Sequence, residues 1–151
     1  MRGCIGLIAA EKPLYVGVRD AATSAALEDP RFSPVTAGEL PALEYEISVL
    51  TPFHRVLDVK DVRVGRDGLL MIRGSNRGLL LPQVPTEFGW DRKTFLDETC
   101  VKAGLPPQAW QDESTDIFAF SALVFNERGA LGPGQKPTNT LGLSAPGSPR
   151  P

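Results

Sequence analysis

The fold of this chain is decided by residues 90–106, with the sequence WDRKTFLDETCVKAGLP. Asp91 is a residue type that caps helix N-termini, and Trp90 before it can pack on Phe95, four positions into the helix. Gly104 and Pro106 are typical of a helix end. These signals predict one well-delimited helix between Asp91 and Gly104. Its apolar face carries Leu96, Cys100 and Ala103.

On both sides of this helix the sequence predicts short strands and one further helix. Pro13 suits the first turn of a helix whose apolar stripe runs from Leu14 to Ala25, and Pro30 requires that helix to end before Asp29. Apolar or alternating runs predict strands at residues 4–9, 43–49, 69–72, 79–81 and 116–125. Strands with few helices between them indicate an α+β fold with a mixed or antiparallel sheet and two main helices.

Length and composition indicate one folded domain followed by a tail. The chain has 151 residues, of which 42% are hydrophobic, and this is enough to form a core. Residues 129–151 contain five glycines and five prolines and few charges. Such a segment cannot bury enough apolar surface to offset its chain entropy. We therefore expect a folded domain at residues 1–128 and a disordered tail at residues 129–151.

The charge balance and the apolar runs argue against several classes of protein. Net charge is −2 and the isoelectric point is about 5.4, which disfavours duplex nucleic acid as a partner. No run approaches the roughly 20 apolar residues of a membrane span, and the N-terminal run is too short for a signal peptide. Two cysteines and one histidine disfavour a disulfide framework and a protein-built metal site. We expect a cytoplasmic protein that uses no metal and no cofactor.

The least ordinary stretch is Arg2-Gly3-Cys4-Ile5-Gly6. On a strand Arg2 and Cys4 share one face, and a neighbouring guanidinium stabilises a thiolate. The two glycines allow a ligand or another backbone to approach closely. The alternative is that Cys4 is a small buried apolar residue among tightly packed glycines. Both interpretations stay open here, with Cys4 as the candidate catalytic residue and residues 2–6 as the candidate binding site.

Other residues of catalytic type have simpler interpretations. Cys100 lies on the apolar face of its helix and is predicted to belong to the core. His54 follows Pro52 in a loop-like stretch and is predicted to be a surface histidine. Glu44 and Glu46 share a strand face, but no acid or base partner accompanies them in the sequence, which favours a solvated face.

Several stretches, taken in order, resemble the family of AmmeMemoRadiSam system protein A, also called the AMMECR-type domain. They extend with the spacing of the family from Arg2 to about Glu127. The motif around Cys4 is the hallmark of that family. The matching stretches are RGCIG at 2–6, DPRF at 29–32, PVT at 34–36, EISVLTP at 46–52, GLLLPQV at 78–84, GWD at 89–91 and TCVKAGLP at 99–106.

The resemblance implies a two-part α+β domain in which the motif at residues 2–6 lines a cleft, and it strengthens the case for a functional Cys4. The family name implies two partners, a Memo-like protein and a radical SAM enzyme, and no particular reaction. Family members usually carry roughly 50 more residues before the motif, so we expect a shortened N-terminus whose first strand lacks a neighbour. Asp67 stands where relatives often have histidine, so a role of that histidine is not expected here.

Three hypotheses of function follow, and whether the protein is an enzyme stays open. The first is an accessory or binding protein of the AmmeMemoRadiSam system, whose cleft around Arg2 and Cys4 receives a small molecule or a partner segment. The second is a thiol-dependent enzyme that uses Cys4 as nucleophile or redox centre, although no base is evident. The third and weakest is an RNA-binding module, against which the acidic isoelectric point argues.

Overall fold

The computed structural model describes residues 1–127 and has an α+β fold, as the sequence predicts. The predicted tail at residues 129–151 lies outside the described residues. Short 3₁₀ turns occur at Leu40–Ala42, Val59–Asp61 and Ala109–Gln111. The helices and strands are α1 (Leu14–Leu27), β1 (Glu46–Leu50), β2 (His54–Arg55), β3 (Gly68–Arg73), β4 (Asn76–Leu80), α2 (Gln83–Glu87), α3 (Arg92–Lys102), β5 (Asp116–Phe120) and β6 (Ala122–Asn126).

The strands form a four-stranded sheet in the order β2-β5-β3-β4 and a two-stranded sheet of β1 and β6. All pairs of the larger sheet are antiparallel, and Leu70 of β3 lies opposite Leu79 of β4 and Phe118 of β5. The single strand predicted at 116–125 is wrong, because β5 ends at Phe120 and β6 begins at Ala122. Between them, the carbonyl of Ser121 accepts a hydrogen bond from the Thr51 N–H, and the Ser121 N–H donates to the Thr51 hydroxyl. The pairing of β5 with β3 ends just before, at Phe120.

The described chain divides into two compact units. Among the described residues, the first unit consists of residues 1–47 together with Asn126 and Glu127, and the second consists of residues 48–125. In the second unit, α3 packs its apolar face on the larger sheet. Asp91 caps α3 by accepting a hydrogen bond from the Thr94 N–H at 2.7 Å, and Gly104 ends it with a φ of +72°. The core contains Phe95, Leu96 and Cys100 from α3 with Leu69, Met71 and Ile117 from the sheet.

The helix predicted near the N-terminus is confirmed as α1. Within residues 1–47 of the first unit, α1 is the only α-helix, and the turn at Leu40–Ala42 is a 3₁₀ helix. Pro13 immediately precedes α1, and the carbonyl of Pro13 accepts from the N–H groups of Val16 and Gly17. No residue of α1 is fully buried. Across residues 1–47 the one buried side chain is the carboxylate of Asp29. The first unit is therefore organised around a polar group.

The strand predicted at residues 4–9 is not formed. Residues 1–7 have no regular secondary structure, and the chain bends at Ile8 and Ala9. The apolar pattern of this segment is that of a strand, but among residues 1–127 no neighbouring strand supplies hydrogen bonds to it. A strand is defined by such a ladder, so the local pattern alone does not produce one.

Candidate functional site

The segment of residues 3–7 lies along α1 in the first unit. A Cβ added to Gly3 would overlap the backbone carbonyl of Ala25, and a Cβ on Gly17 would lie 3.7 Å from the Leu7 side chain. The eight residues from Gly17 to Ala25 span about 12 Å of helix, and four extended residues span about 13 Å. The segment is therefore extended and runs antiparallel to α1. Gly3 is required because only a residue without a side chain fits against the helix backbone.

Asp29 fixes this segment from the side. Its carboxylate accepts hydrogen bonds from the N–H of Cys4 at 2.9 Å and from the N–H of Arg31 at 3.1 Å. The Arg31 guanidinium binds both carboxylate oxygens, at 2.9 and 2.7 Å, and also donates to the carbonyl of Cys4 at 3.0 Å. The Arg31 guanidinium, and then the N–H of Cys4, hold the pKa of Asp29 well below its usual range. Both polar backbone groups of Cys4 are thus occupied.

Arg2 is held in a second ionic contact. Its guanidinium donates to Glu39 at 2.8 and 3.3 Å, and Glu39 also accepts from the N–H and hydroxyl of Thr36, both at 2.9 Å. Arg2 first, and then Thr36, lower the pKa of Glu39 to about 2. The expectation that Arg2 activates Cys4 is therefore wrong, because Arg2 is engaged by Glu39 and Arg31 is the guanidinium that contacts Cys4.

Cys4 is an exposed free thiol in this setting. The interpretation of Cys4 as a buried apolar residue is thereby contradicted. Asp29 raises the pKa of the Arg31 guanidinium most, and the Cys4 side chain adds to that effect. The arrangement is thus suited to present a sulfur atom to a ligand or partner.

Acid is expected to release this segment. A carboxyl group whose pKa is lowered in the folded state stabilises the fold above its unfolded pKa, and that contribution is lost as the pH falls through the folded value. For Glu39 the window runs from 4.5 down to about 2. Exchange of the Cys4 amide, which donates to Asp29, should accelerate across this range after correction for its intrinsic rate. The Glu39→Gln variant should exchange faster than wild type above pH 4.5, and the two should converge near pH 2. If the exchange rates of wild type and Glu39→Gln changed with pH in parallel, the role of Glu39 would be contradicted.

The other sequence candidates are placed as follows. Cys100 is buried in the core of the second unit, as predicted, and burial raises the pKa of its thiol. His54 is exposed on β2, and Glu46 is exposed at the start of β1. Asp67 is buried and accepts from the N–H of Arg63 at 2.8 Å and from the Arg66 guanidinium at 2.6 and 2.7 Å. Asp67 therefore has a structural role at the turn before β3.

Two residues that hold the site were not identified from the sequence. Asp29 and Arg31 flank Pro30, and a carboxylate two residues before an N–H donor is the pattern of an Asx turn. That signal was present in the DPR sequence, but nothing local indicates that the same carboxylate also binds Cys4, 25 positions away. Within residues 1–127, no group of three His, Cys, Asp or Glu side chains is arranged to hold a metal ion.

In the described part of the chain, residues 1–127, no helix combines the length and the apolar character that a membrane span requires.

Comparison with known proteins identifies the family. The AMMECR1 family model matches residues 1–125. Protein TK0174 of Thermococcus kodakarensis is 49% identical over 138 residues, which cover 88% of this chain and 67% of the relative. A protein of Methanothermobacter thermautotrophicus is 49% identical over 136 residues, covering 85% and 70% of the two chains. The crystal structure of the uncharacterized protein PH0010 from Pyrococcus horikoshii superposes with a TM-score of 0.82 at 46% identity, covering 86% and 68%. This chain belongs to the AMMECR1 family.

Proposed function

We propose that this AMMECR1-family domain is an accessory binding protein, whose surface around residues 2–6 receives a small molecule or a segment of a partner protein. The observation that carries the proposal is the way this surface is built. Asp29 and Arg31 hold the backbone of Cys4 in one conformation, while the Cys4 side chain stays exposed. A surface that is fixed before binding loses little conformational entropy on binding, and this favours recognition.

Exposed apolar side chains next to Cys4 support the same proposal. Ile5, Leu7 and Ile8 follow the cysteine directly, and all three are exposed. Contiguous exposed apolar side chains on a soluble domain mark surfaces that bind other molecules. From the family resemblance, we propose that the partners are a Memo-like protein and a radical SAM enzyme of the same cytoplasmic system.

Binding measurements with these two proteins test the proposal. We expect wild-type protein to bind at least one of them in a calorimetric titration, and we expect Ile8→Glu to weaken binding at least about tenfold, because a charge then replaces a buried apolar contact. The matched control is Leu57→Glu, since Leu57 is 92% exposed and belongs to the second unit. Failure of the wild-type protein to bind either candidate, or equal binding by Ile8→Glu, would contradict the proposal.

A second candidate function is thiol chemistry at Cys4, favoured by the exposure of its free thiol. In this alternative Cys4 acts as nucleophile or redox centre. The Cys4→Ser variant separates the two candidates. It retains partner binding and cellular function if Cys4 only belongs to a binding surface, and it loses function with binding intact if the sulfur reacts.

A further inference from the structure

A shallow depression on the second unit lies beside the segment that follows α3. Its volume is about 430 Å³, which is within the usual range of small-molecule sites. The apolar part of its lining comes from Pro106, Pro107 and Ala109, and the charged part comes from Arg73 at the end of β3 and from Asp112. The depression therefore has room for a small ligand and offers it both apolar and charged contacts.

Gln108, which also lines the depression, has a strained backbone. Its φ is +66°, and no other residue except glycine has a positive φ between residues 1 and 127. Glycine adopts this conformation without steric cost, whereas a residue with a Cβ does not. The N–H of Gln108 donates to Asp97 at 3.1 Å, but a glycine N–H at the same place would serve equally. The fold therefore does not account for a glutamine side chain at this position.

The side chain of Gln108 is available to a ligand. Its amide makes no hydrogen bond within the described residues, and the same holds for the amide of Gln111 on the same lining. Each of these amides can both donate and accept hydrogen bonds. Because strained residues are concentrated at sites that bind ligands or substrates, the strain at Gln108 indicates a role in binding.

Hydrogen bonds within the second unit fix the charged contacts. One carboxylate oxygen of Asp112 accepts from the N–H and the hydroxyl of Ser114 at 2.9 and 2.8 Å, and the other lies 3.1 Å from the Arg73 guanidinium. The hydrogen bonds from Ser114 hold the pKa of Asp112 below its usual value, so this carboxylate stays charged at neutral pH. The Arg73 side chain has no other partner in the part of the chain that the structure describes. Its remaining N–H donors can bind an anion.

The lining favours a ligand with a single negative charge. A guanidinium binds a planar carboxylate through two parallel hydrogen bonds. The charged Asp112 beside Arg73 repels a second negative charge, which disfavours a phosphate dianion. The glutamine amides match a ligand with an amide next to its carboxylate, and the proline rings match an apolar side chain.

We propose that this depression binds an acylated amino acid with an apolar side chain, either as a free molecule or as the last residue of a peptide. Arg73 binds the carboxylate, and Gln108 and Gln111 bind the amide. The proposal does not depend on the surface at residues 2–6, because every residue of the depression belongs to the second unit.

A two-dimensional NMR titration with N-acetyl-L-leucine tests the proposal. We expect a Kd of about 1 mM or below, with shifts of the side-chain amide signals of Gln108 and Gln111. N-acetyl-L-leucinamide, which lacks the carboxylate, should bind at least about tenfold more weakly. The tripeptide glycyl-glycyl-leucine separates the two sources of the ligand. Tighter binding of the tripeptide than of N-acetyl-L-leucine assigns the site to a peptide terminus, and equal or weaker binding assigns it to the free molecule.

Two substitutions test the residues. Arg73→Lys keeps the charge but loses the two parallel hydrogen bonds, so it should weaken binding of N-acetyl-L-leucine at least about fivefold. The matched control is Arg77→Lys, which makes the same exchange on an exposed residue of β4 outside the depression and should leave binding unchanged. Gln108→Gly removes the side chain together with the strain. It should weaken binding at least about fivefold, while its thermal transition stays unchanged or rises.

The proposal would be overturned if wild-type protein showed no shifts up to about 10 mM N-acetyl-L-leucine, or if the leucinamide bound equally well. Equal binding by Arg73→Lys and Arg77→Lys, or full binding by Gln108→Gly, would overturn it as well. None of these results bears on partner binding at Ile8, so the two proposals fail separately.

Discussion

Alkylation of the folded protein with iodoacetamide is expected to modify Cys4 rapidly and to leave Cys100 unmodified. Cys4 is exposed, whereas Cys100 is fully buried between α3 and the larger sheet. Burial also raises the pKa of the Cys100 thiol, and this lowers its thiolate fraction further. If opening the second unit costs about 5 kcal/mol, labelling of Cys100 slows by a factor on the order of 10³ to 10⁴ relative to the unfolded chain.

Mass spectrometry of peptides that contain each cysteine gives the two rates separately. Denatured protein supplies the reference rate for both, and Cys4→Ser confirms the assignment. Protection of Cys4 in the folded protein would remove the basis for thiol chemistry and for the exposed binding surface. Reaction of both cysteines at the denatured rate would mean that the core around Phe95 and Leu96 is not formed.

The second unit could be predicted from the sequence because its signals are local. The capped helix, the strands around the turn at Gly74 and the burial of Cys100 each depend on residues close together in the chain. What the sequence did not show was the break at Ser121. Ser121 forms hydrogen bonds with Thr51, which lies 70 positions earlier in the chain. The apolar pattern of residues 116–125 alone does not predict these hydrogen bonds.

The candidate site was predicted only in part, for the same reason. The motif at residues 2–6 stays a predicted binding site, and glycine at position 3 has the close-packing role that such a residue suggests. The charged partner of Cys4 was misassigned, because alternation along a strand placed Arg2 on the same face. Arg2 instead reaches Glu39, and Arg31 arrives from a turn 27 positions away. Pairings over that separation depend on how α1 directs the chain, which local patterns do not encode.

Replacement of Gly3 by alanine is expected to detach the N-terminal segment of residues 3–7 from α1. The added Cβ would overlap the carbonyl oxygen of Ala25, which belongs to the helix backbone and cannot move aside as a flexible side chain can. Overpacking of this kind costs about 1–3 kcal/mol, which corresponds to roughly 5- to 150-fold in a local opening equilibrium. The Cys4 N–H, which donates to Asp29, is the probe, and its exchange with solvent deuterium should accelerate by that factor.

Gly6→Ala is the matched control, since it makes the same chemical change three positions along the same segment. Nothing lies within 4 Å of a Cβ at Gly6, so its effect should stay within about 0.5 kcal/mol, which is usual for surface substitutions. The thermal transition of the second unit, followed by the fluorescence of Trp90 and Trp110, should be unchanged in both variants. Equal exchange of the Cys4 amide in Gly3→Ala and Gly6→Ala would show that Gly3 does not rest on the helix. The N-terminal segment would then not be positioned by α1, and the binding surface at Cys4 would lose its structural basis.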